Sequence, residues 1–412
     1  MLTSTVSRLH IYPIKSTAGL TLASSAVDEL GLAFDRRFVV SDNAGQFITG
    51  RVEPKLCLIQ TKLIAHGIEL SAVNMPTLTL LYKDFSPQYQ NVTVWGDEIA
   101  GQCCSTKANA WFSDYLQRPC LLLFFGKNSH REKKPNTDKA RQLAFADGYP
   151  LLLIAQASLD DLNQRLIDNH QAPVSMAHFR PNIVVDNCLA FAEDEWHHIR
   201  IGDVEFKVSK PCERCIFTTI DPKSGTKHLQ QQPLQTLKSF RKNLNGEVLF
   251  GQNLIALNRG TITQGDKITV LSKQSPPRLF PVINTTAADT VTLANKKNEP
   301  FNKTAPLASN KSKATPATGN KKINVYFQKW DKSHQITKSN GHDKTLLENG
   351  EDAGLILPYS CRAGMCGRCK AKLISGKVEQ LTTDGLTEQE QQAGYILCCS
   401  AIAKSDITLE QE

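Results

Sequence analysis

The sequence contains no apolar run long enough to cross a bilayer. Its longest purely aliphatic or aromatic stretches, Leu121 to Phe125 and Leu151 to Ile154, fall far short of the ~20 residues a spanning helix needs. The opening MLTSTVSRLHIYPIK has no charged start followed by a long apolar region, so it does not read as a secretory signal. These absences argue against membrane and exported classes and lead us to expect a cytoplasmic protein. No G-x-G-x-x-G follows a strand-like run, so the chain has no apparent nicotinamide or flavin fingerprint of its own. No internal repeat is present. A nucleic-acid partner is also disfavoured, although the net charge is +8. Residues 274–322 carry eight Lys or Arg against two acids, and residues 323–412 carry ten against twelve, which leaves only +4 for residues 1–273. The excess sits on one segment and makes no basic face.

What is present is a chain of 412 residues, 41% hydrophobic and 21% charged. At roughly 100–200 residues per domain, it predicts two to four domains with buried cores. Residues 1–98 read as mostly β. Phe38-Val39-Val40 and Phe47-Ile48-Thr49 flank the turn Asp42-Asn43-Ala44-Gly45, a hairpin signal. Thr77 to Tyr82 and Val92 to Trp95 read as further strands. Residues 99–273 are mixed. Leu151 to Ile154 is a short buried strand, followed by a capping-box-like helix start at Ser158 and by Leu159, Leu162 and Leu166 on one helical face. Val204, Phe206 and Val208 alternate as a strand, as do Ile268 and Val270. Residues 274–322, rich in Pro, Asn, Thr, Lys and Ala, cannot bury enough surface to offset chain entropy. They read as a flexible tether with a root-mean-square span of roughly 35–42 Å. Residues 323–412 resume globular patterning, with a strand at Ile323, Val325 and Phe327, a helix starting at Leu346 and a capping box at Thr387 and Glu390.

Twelve cysteines without an export signal point away from disulfides and toward metals or clusters. Five of them fall in the last 52 residues. Cys361-x4-Cys366-x2-Cys369 reproduces the plant-type [2Fe–2S] spacing, in which three thiolates on one tight loop wrap a cluster edge. Ala363, Gly364 and Gly367 leave room for backbone N–H groups to approach the sulfurs. A fourth thiolate has to come from Cys398 or Cys399. The alternative, a zinc knuckle, usually presents Cys-x2-Cys pairs on both sides, and only one pair exists here.

Leu355 to Gly364, LILPYSCRAG, resembles the approach to the cluster loop of plant-type ferredoxins. In that family 29 residues separate the third and fourth ligands. The resemblance therefore implies Cys399 as the fourth ligand and leaves Cys398 as a bystander.

The second feature is Lys210-Pro211-Cys212-Glu213-Arg214-Cys215-Ile216-Phe217. Cys-x-x-Cys alone fits half a zinc site, a redox pair or two core thiols. Arg214 beside Cys215 favours the thiolate that both ligation and nucleophilic attack require. Cys103-Cys104 has no partner pattern, and His10 and His178 read as structural.

The segment resembles the cysteine loop of MOSC domains, found in molybdenum cofactor sulfurases and in the mitochondrial amidoxime-reducing component. Ile11-Tyr12-Pro13-Ile14-Lys15-Ser16, Gly31 to Phe38, Gly50-Arg51-Val52-Glu53-Pro54, Phe179 to Val185 and Phe250-Gly251-Gln252-Asn253 resemble other segments of the same branch. MOSC followed by a ferredoxin is the layout of bacterial YcbX-type proteins. The resemblance implies a multidomain fold. An N-terminal mostly-β barrel domain (1–98) precedes a β-rich MOSC barrel domain with helices (99–273). The linker (274–322) then leads to an α+β, β-grasp ferredoxin domain (323–412).

The resemblance also implies a molybdenum cofactor ligated by Cys215 and a [2Fe–2S] cluster on Cys361, Cys366, Cys369 and Cys399. Lys15, Arg37 and Arg180 would supply positive charge to the pterin phosphate, with uncharged hydrogen bonds from Ser16 and Asn182. Arg214 and Glu213 would line the cofactor. Asp147 would relay protons to a departing oxygen. The implied activity is reduction of N-hydroxylated compounds (hydroxylamines, N-hydroxylated bases), with electrons from an external flavoprotein reductase. Two other readings stay open: a sulfur carrier holding a persulfide on Cys215, and an electron-transfer reductase component.

Overall fold

The computed structural model describes residues 3–133, 141–279, 322–337, 344–355, 357–359, 364, 367–383 and 385–411. The chain forms two compact units, one built mainly on residues 1–280 and one on the C-terminal residues.

The first unit is organised by an eight-stranded sheet. Its order is Leu20–Leu22, Thr5–Ile11, Ile183–Asp186, Leu151–Ala155, Leu249–Ala256, Val204–Glu213, Trp196–Ile201 and Ile268–Lys273. The N-terminal strand therefore lies inside the sheet of the later domain, antiparallel to Ile183–Asp186. Leu151–Ala155 runs parallel to Ile183–Asp186, with the helix Gln156–Asp168 in the crossover, a βαβ unit. Leu9, Ile11, Leu153, Ile183, Val204, Phe206 and Leu254 are fully buried in the main core.

The helix begins two residues before Ser158, and Ser158 is not its cap. The Ser158 hydroxyl instead donates to both oxygens of buried Glu193, at 2.9 and 3.0 Å, and Ala155 N–H donates to the same carboxyl. Burial pushes the Glu193 carboxyl up to about 7. The face Leu159, Leu162 and Leu166 is buried as its periodicity predicts.

A second sheet, Phe38–Ser41, Leu121–Phe124, Asp97–Cys103 and Tyr89–Val94, and a three-stranded sheet, Gln60–Ile64, Gly67–Ser71 and Leu78–Leu81, make the N-terminal domain. The boundary expected between 98 and 99 falls inside the strand Asp97–Cys103. The helix Thr106–Leu116, capped by Ser105 Oγ on Ala108 N–H, buries Ala108, Trp111, Phe112 and Leu116 in the same core as Phe38, Leu56 and Ile68. A chain segment belongs to the domain whose core it fills, and here that domain runs on past the last strand visible in the sequence.

The C-terminal unit carries a five-stranded sheet ordered Lys332–Thr337, Lys322–Phe327, Ile407–Glu410, Lys370–Ser375 and Tyr395–Leu397. Lys322–Phe327 pairs parallel to Ile407–Glu410, and Leu346–Asp352 forms a helix with a complete Thr345–Glu348 capping box. The Thr387–Glu390 box is formed as expected. Most of the expected tether, 280–321, lies outside the described residues. Its first residues are attached to the preceding domain: Gln274 N–H donates to Glu195 O at 2.8 Å, and Asn243 bridges Leu279. Among the described residues no helix is long and apolar enough to cross a membrane.

Candidate functional site

The ten-residue strand Val204–Glu213 ends in the cysteine loop. Cys215 starts a single 3-10 turn, Ile216–Thr219, and its carbonyl accepts from both the N–H and the hydroxyl of Thr218, at 3.1 and 2.9 Å. The loop opens on a cavity of about 320 Å³ lined by Cys215 and Cys212 and by side chains from both barrel domains. Cys212 is half-buried, and burial pushes its thiol up.

The N-terminal contribution comes from the turn after Thr5–Ile11. Tyr12 N–H donates to Asp35 Oδ1 at 2.7 Å, and Lys15 N–H to Phe38 O at 2.8 Å. Ser16 sits at φ 73, left-handed for a residue with a side chain. Its hydroxyl accepts Gly50 N–H at 3.0 Å, which leaves the hydroxyl proton to donate. Gly50 has to be glycine for space: a Cβ there would meet the Phe217 ring at 2.6 Å. That close approach brings the N-terminal loop onto the cysteine loop.

Lys15 is 6% exposed. Its ammonium donates to Phe145 O at 2.8 Å and to Asp147. Burial brings the Lys15 pKa down to about 8, against the opposing pull of Asp147. Asp147, read from the resemblance as a proton relay, lines the cavity. Partial desolvation favours its neutral form, although the side chain is 60% exposed. The charges of Lys15 and Arg51 and hydrogen bonds from Lys15 and Trp95 outweigh this and hold it below the usual carboxylate range. It is an ionised acceptor near neutral pH.

Arg37, expected in the pocket, points elsewhere. Its guanidinium pairs with Asp28 at 3.2–3.3 Å and does not line the cavity, whereas Arg36 does. Arg36 has φ 47, and that left-handed turn just before the strand at Phe38 sends the two guanidinium groups to different partners. Arg36 pairs with buried Asp35 and donates to Asn182 Oδ1 at 3.0 Å and to Arg180 O at 3.3 Å.

Arg180, Asn182 and Arg214 all reach the cavity wall. Arg180 lies 4.0 Å over the Tyr12 ring, donates to Thr17 O at 2.6 Å and is brought by burial to about 10. Asn182 is 1% exposed. Its Oδ1 takes Arg36 and Leu152 N–H, and its amide donates once to His10 O, so one N–H is left. Arg214 donates to Phe250 O and Phe179 O, at 2.5–3.0 Å. Its hydrogen bonds fasten the loop to the sheet while its charge stays beside Cys215. Glu213 is held by Lys210 at 2.5 Å.

The sequence reading passed over the roles of Arg36, Arg51, Trp95 and Lys210. Arg51 lies in a motif noted only for its resemblance, and nothing in composition or spacing marks Trp95. In all, six cationic side chains, Lys15, Arg36, Arg51, Arg180, Lys210 and Arg214, face two carboxylates, Asp147 and Glu213. A polyanionic, multiply hydrogen-bonding group such as a pterin dithiolene phosphate fits that balance, with Ser16 and Asn182 retaining donors and Cys215 supplying a thiolate.

In the C-terminal unit Cys369 and Cys399 are 2% and 6% exposed, and Cys399 N–H donates to Cys369 Sγ at 3.4 Å. Such N–H···S contacts are those a ligated thiolate uses. Cys398 is fully buried, receives the Gln411 amide at its sulfur at 3.8 Å, and is pushed up by burial to about 12. Cys361 and Cys366 lie outside the described residues.

Comparison with known proteins agrees with this picture. Models of the MOSC N-terminal beta barrel domain, the MOSC domain and the 2Fe-2S iron-sulfur cluster binding domain match residues 3–119, 140–269 and 328–404. Mitochondrial amidoxime-reducing component 1 of Mus musculus is 36% identical over 289 residues, covering 65% of this chain and 83% of the relative. The chain belongs to the amidoxime-reducing component family of MOSC proteins. The Homo sapiens component 1 is 36% identical over 65% of this chain and 83% of its own length, and the Bos taurus component 2 is 38% identical over 58% and 72%. The MOSC match and the 2Fe-2S domain match carry the two cofactors expected from the sequence, a molybdenum cofactor and a [2Fe–2S] cluster.

Proposed function

We propose that the chain is a molybdenum-dependent reductase of N-hydroxylated compounds. It takes an N–OH substrate, two electrons and two protons to the N–H compound and water. Electrons come from an external flavoprotein reductase through the chain's own [2Fe–2S] domain. The observation that carries this reading is Cys215 at the wall of a cavity with a surplus of cationic side chains. The family to which the chain belongs supports it as well. When bound, the molybdenum cofactor supplies acceptance of oxygen from an N–O bond, and the cluster supplies electrons singly.

The chain's residues do the rest. Cys215 ligates the metal. Lys15, Arg36, Arg51 and Arg180 balance the anionic cofactor, and Ser16 and Asn182 donate to it. Lys15 Nζ keeps a proton below about pH 8, so it can hold a transferable proton beside the cavity at neutral pH. Cys361, Cys366, Cys369 and Cys399 hold the cluster.

The deciding experiment compares the parent protein with Cys215→Ala, both made in a cofactor-competent host. The parent should contain molybdenum and iron near 1:2, one cofactor to one two-iron cluster. The variant should lose molybdenum, pterin and N-hydroxy reduction while keeping its iron. A labile extra sulfur on Cys215 without bound pterin would overturn the reading in favour of a sulfur carrier.

A further inference from the structure

Behind the cavity lies a buried arginine that the site described above does not use. Arg131 is 3% exposed and is not among the residues that line the cavity. Its Nε donates to Asp97 Oδ2 at 2.8 Å. Its Nη1 donates to Ala144 O at 3.0 Å and to Ala146 O, and its Nη2 donates to Asp147 O at 3.2 Å. Asp97 is held in turn by Lys133, at 2.8 Å. The backbone around Arg131 is fixed as well. Leu143 N–H donates to Arg131 O at 2.9 Å, and Glu132–Lys133 pairs with Arg141–Gln142.

The same short segment holds Lys15 on its other side. The carbonyl between the two that Nη1 takes, Phe145 O, accepts from Lys15 Nζ at 2.8 Å, and the Asp147 carboxylate is the second acceptor of that ammonium. Arg131 and Lys15 thus interleave on residues 144–147: one takes the carbonyls of 144, 146 and 147, the other the carbonyl of 145 and the side chain of 147. A guanidinium is planar and rigid, so acceptors along its edge are kept in one arrangement. Burying such a charge is costly unless its donors are met, and here four hydrogen bonds meet them.

We propose that Arg131 is a positioning residue for the reaction: it grips the carbonyls on either side of the one that holds Lys15, and so fixes the ammonium beside the cavity. Its charge acts in the same sense. Burial, followed by the charges of Arg131 and Arg51, brings Lys15 down to about 8 against the pull of Asp147. A lysine so placed holds a proton at neutral pH and gives it up readily. The inference rests on the cavity being the N-oxygen reduction site and adds what sets its lysine.

The test compares the full-length parent with Arg131→Met and Arg131→Lys. Trace acetylation of Lys15 by acetic anhydride, read by mass spectrometry on cofactor-free protein between about pH 6 and 11, gives its half-titration pH without any turnover. Arg131→Met should raise that pH by about one, a tenfold gain in proton affinity, because a neighbouring charge is lost and the loosened segment admits water. Arg131→Lys keeps the charge but has all its donors on one atom and cannot fork across the carbonyls, so its rise should be smaller. In molybdenum-loaded protein, the alkaline fall of kcat/KM for benzamidoxime should move up with the lysine. Per molybdenum, kcat at neutral pH should drop about tenfold in Arg131→Met, with KM within about twofold.

A folded Arg131→Met variant with lowered stability but an unmoved Lys15 would show a structural role only and overturn the inference. If that variant does not fold, an unmoved Lys15 in Arg131→Lys overturns it instead. A loaded parent that reduces no N-hydroxylated compound would overturn the functional reading, and the acetylation profile would still decide whether Arg131 sets Lys15.

Discussion

The two sulfur sites follow opposite electrostatic plans. Around Cys215, six cationic side chains outnumber two carboxylates on the cavity wall. Among the described residues near Cys369 and Cys399, apolar side chains are buried. Leu397, Cys398 and Ala401 have no exposure, the helix Leu346–Asp352 packs on the Cys398–Ser400 turn, and a backbone N–H, that of Cys399, donates to the Cys369 sulfur. Side chains meet charge at the first site. At the second, N–H groups and exclusion of water do so. A group with several separated negative charges needs the first plan. A compact cluster, whose charge lies on its sulfurs, is served by the second. The net charges agree in sign, +4 for residues 1–273 and −2 for residues 323–412.

If the second plan is right, the C-terminal site depends on individual sulfurs, and the largest effect should come from one of two adjacent cysteines. Cys399→Ser should abolish the visible absorbance of the cluster and most of the bound iron, because a [2Fe–2S] centre needs four ligands. Cys398→Ser should keep both. Its sulfur accepts from Gln411, a partner the serine hydroxyl can keep, so the substitution costs on the order of 1 kcal/mol in the C-terminal unit. Iron and absorbance measured on the two variants check this. Retention of the cluster in Cys399→Ser would move the fourth ligand and break the comparison.

The cationic plan makes its own demand on two neighbouring arginines. Arg36→Met leaves Asp35, 1% exposed, without its ion-pair partner. It should destabilise the first unit by about 3–5 kcal/mol, the cost of stranding a buried charge, and lower molybdenum content. Arg37→Met removes a partner from Asp28, whose side chain is 38% exposed, and should cost about 1 kcal/mol or less. Denaturation midpoints with metal analysis separate the two. Equal effects would mean that the pocket charge is not concentrated on the residues that line it.

These neighbours also mark where sequence reading stops. The 2Fe-2S domain was legible because Cys361, Cys366 and Cys369 stand at fixed offsets on one loop, a local pattern, and the domain match falls there. So were the alternating strand at Ile323, Val325 and Phe327 and the Thr387–Glu390 cap, since both depend on nearby residues. Arg36 and Arg37 differ only in which way a left-handed turn directs them, and φ at one residue leaves no trace in composition. Ser158 looked like a helix cap, but Glu193, distant in the chain, takes its hydroxyl. Asp147 lines the cavity, and its charge state depends on Lys15, Arg51 and Trp95, from three other segments. Trp95 reaches the site because the strands Tyr89–Val94 and Asp97–Cys103 turn beside it, a placement decided by tertiary packing.

The smallest expected effect probes an ion pair that joins a buried residue of the cavity wall to an exposed one, Lys15 with Asp147. An unfolded lysine keeps its proton up to about 10.5, while in the folded protein burial brings Lys15 down to about 8. Between these pH values the unfolded chain binds more protons, so stability rises with pH, and the cost of the buried ammonium is fully present only below pH 8. The partner carboxylate is well solvated, which tempers the size to about 1–2 kcal/mol. Cofactor-free parent protein should therefore gain that much between pH 8 and 10.5 relative to Lys15→Met, read from urea unfolding at each pH. Parallel curves would mean that the ammonium is as hydrated as Asp147, and that wall would then not be the dry, charge-bearing surface that sets this cavity apart from the cluster site.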